Sequence, residues 1–219
     1  FRQNPENILL EFTATIDMSD PNIGQKYFDK LLFDYPLKSF REDGYSKEVK
    51  VLQADMQPMD RALIAIIFSQ YRRKIFEKNK LHIKPVLLFK SKTIQESKDF
   101  QLTFISKIKQ LTAADIKSAL SFDSPVSTDI KSYLANNHIA PENLAAELKS
   151  DFSEDKCISI NSQEESEEKQ LAVNSLEATN NEYRAVFAVD KLNEGWDVLN
   201  LFDIVRLYDT RDAKNGKVG

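Results

Sequence analysis

Short apolar segments separated by helix-forming stretches constrain the fold of this chain more than any other feature. Residues 85–89 read PVLLF and residues 184–189 read RAVFAV. A strand that is apolar on both faces is typical of the centre of a parallel sheet, because helices cover both faces there. Further strands are predicted at residues 8–16, 47–53, 156–160 and 202–208. Strands that alternate with helices predict an α/β fold with a doubly wound parallel sheet and right-handed crossovers.

The first strong helix signal begins at Pro58, since proline suits the first position of a helix. The stretch that follows, MDRALIAIIFSQYRRKIFEKNK, is apolar all round in its middle, which predicts burial there. Its end, residues 72–80, is basic and is expected to face solvent. Thr93 and Glu96 fit a capping box that opens the next helix.

Residues 99–152 are predicted to form a helical insertion, because structureless stretches of this length are uncommon. Thr112 and Asp115 repeat the capping pattern within it. Pro125 is expected to break the helical run, and Pro141 to begin another short helix.

Composition excludes several classes of protein. The net charge is −4, and the longest apolar run, residues 62–68, is far shorter than the ~20 residues that span a bilayer. The five glycines have neither the GxxxxGK[ST] nor the GxGxxG spacing, and the dipeptide Asp-Glu does not occur. The chain therefore has no phosphate loop and no DExx box of its own. The single cysteine, Cys157, excludes an internal disulfide, fits a reducing compartment and is predicted to be a buried, inert thiol.

Polar segments follow three of the predicted strands, where parallel sheets bind ligands. They are Thr13-Ala14-Thr15, Lys90-Ser91-Lys92 and residues 190–197, which read DKLNEGWD. The last is the most unusual, because it combines the only tryptophan with a glycine and several carboxylates. Gly195 permits close approach of the backbone to a ligand, and Asp197 can accept hydrogen bonds. A tight turn with a packed tryptophan is the alternative interpretation.

Charge is distributed unevenly along the chain. Residues 69–109 contain eleven Lys and Arg against three acids, which suits either a phosphate backbone or a solvated helix surface. Residues 161–182 are acidic and are interpreted as a solvated helix face or linker. His82, His138 and Cys157 lack the spacing of metal ligands, so no metal site is expected.

Three blocks in order, LEFTATID, KPVLLFKSKT and FAVDKLNEGWDVLNLFDIVRLYDTR, resemble the restriction subunit of type III restriction enzymes, a branch of the superfamily-two helicases. The resemblance implies RecA-like domains with ATP between them and DNA across their top. It implies a tail of the first domain at residues 1–40 and a second RecA-like domain at residues 41–219. On this basis we expect the chain to be a piece of a longer protein, with the phosphate loop before it and the arginine-finger motif after it.

The resemblance also implies roles for individual residues. Those implied to couple to or approach ATP are Thr13, Thr15, Gly195 and Asp197, and those implied to contact DNA are Lys90, Ser91, Lys92, Lys191 and Asn193. No catalytic residue is expected in this chain. The whole enzyme would use ATP and Mg²⁺, neither of which this chain alone is expected to bind.

The implied partners are double-stranded DNA and a modification (methyltransferase) subunit, and the implied location is the cytoplasm without membrane attachment. Residues 8–16 would lack their strand neighbours, so we expect them to be displaced, paired with the other domain or engaged in a dimer. Two alternatives stay open: the second domain of another DEAD/DEAH-like helicase acting on RNA or in repair, and a non-catalytic adaptor module.

Overall fold

The computed structural model describes residues 6–13, 16–47, 56–161, 166–189 and 198–208. The chain divides into two compact units, Phe1–Gln53 and Ala54–Gly219. The first contains two short helices, α1 (Pro21–Tyr27) and α2 (Leu37–Glu42). The described α-helices and β-strands of the second are, in chain order, α3 (Pro58–Lys78), β1 (Val86–Ser91), α4 (Ile94–Lys109), α5 (Ala113–Ala119), α6 (Pro125–Asn136), α7 (Pro141–Asp151), β2 (Cys157–Ile160), α8 (Glu167–Asn174), β3 (Ala185–Val189) and β4 (Leu201–Arg206), with a short 3-10 helix (Glu154–Lys156) before β2.

The four strands form one sheet in the order β2-β3-β1-β4, and all three strand pairs are parallel. The apolar strand β1 lies between β3 and β4, as its composition predicts. The predicted α/β fold with a parallel sheet is therefore confirmed. The arrangement is consistent with a RecA-like domain.

Both faces of the sheet are packed, because successive side chains of a strand point to opposite faces. On one face Leu87, Phe89 and Phe187 join a large core with apolar residues of α3, α4 and α7. On the other face Leu88 and Val186 join a smaller core with apolar residues of α8 and the segment after it. This division is what a doubly wound sheet requires.

A group of four phenylalanines holds α4 against the sheet. The rings of Phe89 and Phe187, which are register partners in β1 and β3, lie 5.0 Å apart between centroids. Phe104 contacts both, with centroid distances of 5.1 and 5.5 Å, and Phe100 extends the group. Aromatic pairs at these distances add to the stabilisation from burial alone.

The helix predictions hold in detail at several termini. Pro58 occupies the first turn of α3, and residues 62–64 and 66–68 in its middle are buried, as predicted. Thr93 and Thr112 each open a helix with a complete capping box, closed by Glu96 and Asp115 respectively. The 99–152 region is helical through α7, so its predicted helical character is confirmed.

The helical run is interrupted before Pro125, as predicted, since α5 ends at Ala119 and α6 begins at Pro125. The prediction did not include the position of Pro125 in the first turn of α6, where the side chain of Ser124 accepts a hydrogen bond from the Ser127 N–H. The strand predicted at residues 8–16 is wrong for its described part, since residues 8–13 and 16 belong to no helix or strand. The strand predicted at 47–53 lies outside the described residues except for Lys47.

Several large apolar side chains of the first unit are exposed. Ile8 and Phe12 are 80% and 91% exposed, and the exposure of Phe28 and Leu32 lies between these values. The described residues of this unit supply no neighbouring strand, which a strand at residues 8–13 would need for pairing.

Candidate functional site

The predicted triplet Lys90-Ser91-Lys92 lies at the carboxyl edge of the sheet. Ser91 ends β1 and is the register partner of Val189, which ends β3. The polar segment 190–197 follows Val189 in the sequence but lies outside the described residues, and with it Lys191, Asn193, Gly195 and Asp197. The described residues therefore include only the first of these two predicted loops, Lys90-Ser91-Lys92. It lies next to the end of β3, which the second loop follows in the sequence.

The three side chains of the triplet differ in accessibility. Lys92 is exposed and Lys90 is half-buried, whereas Ser91 is only 2% exposed. Successive side chains of a strand point to opposite faces of the sheet, so the Ser91 side chain lies on the face opposite to that of Lys90. Thr93 follows at once and starts α4, so the two lysines are held between a strand end and a capped helix start. The roles of Lys90 and Lys92 stay predictions, and burial of Ser91 disfavours its direct contact with DNA.

The remaining predicted residues belong to the first unit. Thr13 lies in its non-regular segment, and Thr15 lies outside the described residues. The implied coupling role of this motif stays a prediction.

Arg206 lies at the same carboxyl edge, although no sequence pattern singled it out. Arg206 ends β4 and is the register partner of Lys90 in β1. Its guanidinium lies 5.6 Å from the centre of the Tyr208 ring, and its carbonyl accepts a hydrogen bond of 3.1 Å from Nη1 of Arg61. The signal that could have revealed it is a cation at the end of an apolar strand, the same signal that marked Lys90.

The opposite, amino edge of the sheet contains a buried network of charges. Arg184, directly before β3, donates hydrogen bonds to the carbonyl of Pro85 (2.8 Å), to Asp151 (2.9 Å) and to Ser69 Oγ (3.2 Å). Asp151 also accepts a hydrogen bond of 2.6 Å from Arg73. The network ties α3 and α7 to the start of two strands.

Burial determines the electrostatics of this edge. Desolvation lowers the pKa of Arg184 to about 10, opposed by the nearby Asp151 carboxylate. Lys84, which donates to the carbonyl and the side-chain oxygen of Asn181, has its pKa lowered to about 8 by burial and by the charge of Arg184. These cations serve the fold, since their partners are protein groups of the same edge.

The basic segment 69–109 is partly neutralised within the protein. Among the described contacts, five of its cations form ion pairs with carboxylates: Arg72 with Asp203, Arg73 with Asp151, Lys74 with Glu147, Lys107 with Asp115 and Lys109 with Glu154. For these five the structural interpretation is favoured over phosphate binding.

Cys157 is buried at the start of β2, as its apolar surroundings in the sequence predict. Burial raises its pKa to about 12, so the thiolate is strongly disfavoured. Among the described residues, no group of three His, Cys, Asp or Glu could hold a metal ion. None of the described helices is long and apolar enough to cross a membrane.

Comparison with known proteins supports the family that the three blocks resemble. No protein-family model matches the chain, and no solved structure matches it significantly. The chain is 35% identical, over 98% of its length, to the probable type III restriction-modification enzyme HindVIP Res subunit of Haemophilus influenzae. It spans 47% of that protein. This chain is therefore homologous to about half of a type III restriction-modification Res subunit.

Proposed function

We propose that this chain is part of the DNA-translocating motor of a type III restriction enzyme, and that it contacts the phosphate backbone of double-stranded DNA with the carboxyl edge of its sheet. The observation that carries the proposal is the position of Lys90 and Lys92 at the end of the central strand, beside the end of β3. The homology to a Res subunit supports it. DNA cleavage is assigned to a part of the enzyme outside this chain.

The geometry favours contact with phosphates over readout of bases. Lys90 and Lys92 lie at the end of a strand, directly before a capped helix. Lysine contacts a phosphate as a point charge and carries no sequence information. Sequence recognition is therefore assigned to the modification subunit.

The residues of this chain do not by themselves fit ATP and Mg²⁺. The sequence has no glycine-rich phosphate loop, and the described residues contain no three-ligand cluster for a metal. The proposed ATP site is completed by parts of the enzyme outside this chain, and Gly195 and Asp197 would contribute to it from one side. The role proposed for the described residues is accordingly contact with DNA.

The proposal is tested in the full-length enzyme by the double substitution Lys90→Gln and Lys92→Gln. Loss of two phosphate contacts is expected to reduce the salt slope of DNA binding by ~2 and to lower DNA-stimulated ATP turnover, while ATP affinity is retained. Asp197→Ala is expected to do the reverse, weakening ATP binding at unchanged DNA affinity. The measurements are DNA titrations at several salt concentrations and ATPase assays with and without duplex DNA.

Lys78→Gln is the matched control, because Lys78 is exposed at the far end of α3 and close to the amino edge. Unchanged DNA binding in the double variant would refute the backbone contact. Stimulation by RNA but not by duplex DNA would support the RNA-helicase alternative, and absence of ATP binding in the full-length protein would support the adaptor alternative.

A further inference from the structure

We propose that Glu177 and Asn200 are positioning residues for the segment that enters β4, and that nucleotide binding by the full-length enzyme depends on them. The inference rests on the proposed function, in which Asp197 contributes to the ATP site from one side. Glu177 belongs to the acidic segment 161–182, which the sequence pattern predicts only as a solvated helix face or linker. The role follows from hydrogen bonds, from burial and from chain connectivity.

Two hydrogen bonds join the segment after α8 to the segment before β4. The carboxylate of Glu177 accepts a hydrogen bond of 2.6 Å from the N–H of Leu199. The side-chain amide of Asn200 donates a hydrogen bond of 2.8 Å to the carbonyl of Leu176. Two adjacent residues of one segment are thus bound to two adjacent residues of the other. The bond to Glu177 is charge-assisted, which makes it roughly twice as strong as a neutral one.

Burial fixes the inner half of this junction. Asn200 is 6% exposed and Leu176 is fully buried in the smaller core, against which Val198 and Leu201 also pack. The carbonyl of Asn200 accepts a hydrogen bond of 2.8 Å from the N–H of Val86, the first residue of β1. Asn200 therefore ties the start of β4 both to the central strand and to the segment after α8.

The outer half of the junction lies at the surface. Glu177 is exposed, and the side chain of Leu199 is 66% exposed. Loss of the Glu177 carboxylate consequently removes no part of either core, while it releases the backbone of Leu199 from this contact. Substitution of Glu177 can for this reason change the position of the segment without emptying the interior.

Chain connectivity carries the effect from Leu199 to Asp197. Asp197 is two residues before Leu199 in the sequence, and consecutive Cα atoms are about 3.8 Å apart. Holding Leu199 therefore restricts the reach of Asp197, whichever path the chain takes between them. A binding group must be held within roughly 0.5 Å of its productive position by supporting contacts, and Glu177 and Asn200 supply such contacts.

The test is ATP binding by the full-length enzyme carrying Glu177→Ala. The dissociation constant for ATP is expected to rise on the order of tenfold, the lower end of the effect known for the outer partners of metal ligands, while the salt slope of DNA binding stays unchanged. Glu177→Gln keeps an oxygen acceptor and is expected to retain most of the ATP affinity. Asn200→Ala is expected to weaken ATP binding and also to lower the melting temperature, because Asn200 is buried.

Glu168→Ala is the matched control, since Glu168 is an exposed acid of α8 in the same acidic segment. Its ATP affinity is expected to equal that of wild type. Equal losses in the Glu177 and Glu168 variants would trace to the charge of the segment and would overturn the inference. Thermal unfolding of each variant measures stability, and a lower melting temperature of Glu177→Ala at unchanged ATP affinity would show that the bond serves the fold alone.

The outcomes separate this proposal from the function on which it rests. If Asp197→Ala weakens ATP binding and Glu177→Ala binds ATP like wild type, the positioning role is wrong and the proposed function stands. If neither variant changes ATP affinity, the nucleotide role of Asp197 fails together with the inference. The DNA contact is then still decided by the Lys90 and Lys92 double variant.

Discussion

The two edges of the sheet use positive charge in different ways. At the amino edge Arg184 is buried, and it shares the carboxylate of Asp151 with Arg73. At the carboxyl edge Lys90 and Arg206 are register partners, and Arg206 is exposed. A buried cation beside a carboxylate holds elements of the fold together, whereas an exposed cation at a strand end is accessible to solvent and ligands. A count of lysines and arginines along the sequence cannot distinguish these uses.

The largest effect is expected at the amino edge. Asp151→Asn keeps the shape of the side chain but removes the one carboxylate that both Arg184 and Arg73 contact. An uncompensated buried charge costs about 3–5 kcal/mol, so we expect the free energy of unfolding to fall by that amount at neutral pH. Urea unfolding of the chain, followed by circular dichroism, measures it.

Glu154→Gln is the control for this substitution. Its ion pair with Lys109 is a surface contact, with side chains 66% and 64% exposed, and its loss is expected to cost less than about 1 kcal/mol. A comparable loss of unfolding free energy in both variants would show that the amino-edge network stabilises the fold no more than a surface ion pair does. A changed salt slope of DNA binding in folded Asp151→Asn would show that the amino edge also contributes to DNA binding, contrary to the roles given to the two edges.

A smaller effect is expected from the two threonine caps, which are chemically alike. Thr93→Ala and Thr112→Ala each remove a capping box and are expected to lower the free energy of unfolding by ~1 kcal/mol. Only Thr93 follows Lys92 at the carboxyl edge, so only Thr93→Ala is expected to weaken DNA binding. Thermal unfolding and DNA titration measure the two properties in the full-length enzyme.

Equal DNA affinities in the two cap variants would contradict the idea that α4 positions the lysine loop. The two cap variants separate a loss of stability, which is expected in both, from a loss of DNA binding, which is expected only at the carboxyl edge.

Much of the second unit could be predicted because its signals are local. The continuous apolar run of β1 requires cover on both faces, and the capping boxes at Thr93 and Thr112 fix where helices begin. Pro125 interrupts the helical run as predicted, but it also occupies the first turn of α6, and Ser124 before it was the cue for this second role. Residues 8–13 have strand-like composition, but a strand needs partners that the described residues do not supply.

The candidate site could be predicted only in part. Lys90 and Lys92 were found because polar residues directly follow an apolar strand, which is visible in one segment of sequence. Arg206 was missed because its significance depends on register with Lys90, more than one hundred residues away. Likewise, the carboxylates that neutralise Arg72 and Arg73 lie far along the chain, at Asp203 and Asp151. Contacts between distant segments follow from tertiary packing and leave no local pattern.

The last expected effect is a pH dependence at Lys84, whose pKa at the crowded amino edge is lowered to about 8 from its ordinary 10.5. Burial disfavours its charge, Arg184 and Arg73 repel it, and Glu182 partly compensates. Between pH 8 and 10.5 the unfolded chain retains a proton that the folded chain has released, so rising pH favours the folded state. We therefore expect wild type to gain stability relative to Lys84→Met between pH 7 and pH 9.5, measured by urea unfolding.

Lys84→Arg keeps a charge that does not titrate in this range. Wild type is therefore also expected to gain stability relative to Lys84→Arg as the pH rises. Because all other groups are common to the three proteins, their titration cancels in the differences. A difference that stays constant with pH in both comparisons would mean that the Lys84 amine is solvated and keeps its proton. The amino edge would then be less crowded with charge than the contacts of Arg184 indicate, and its contrast with the exposed carboxyl edge would be weaker.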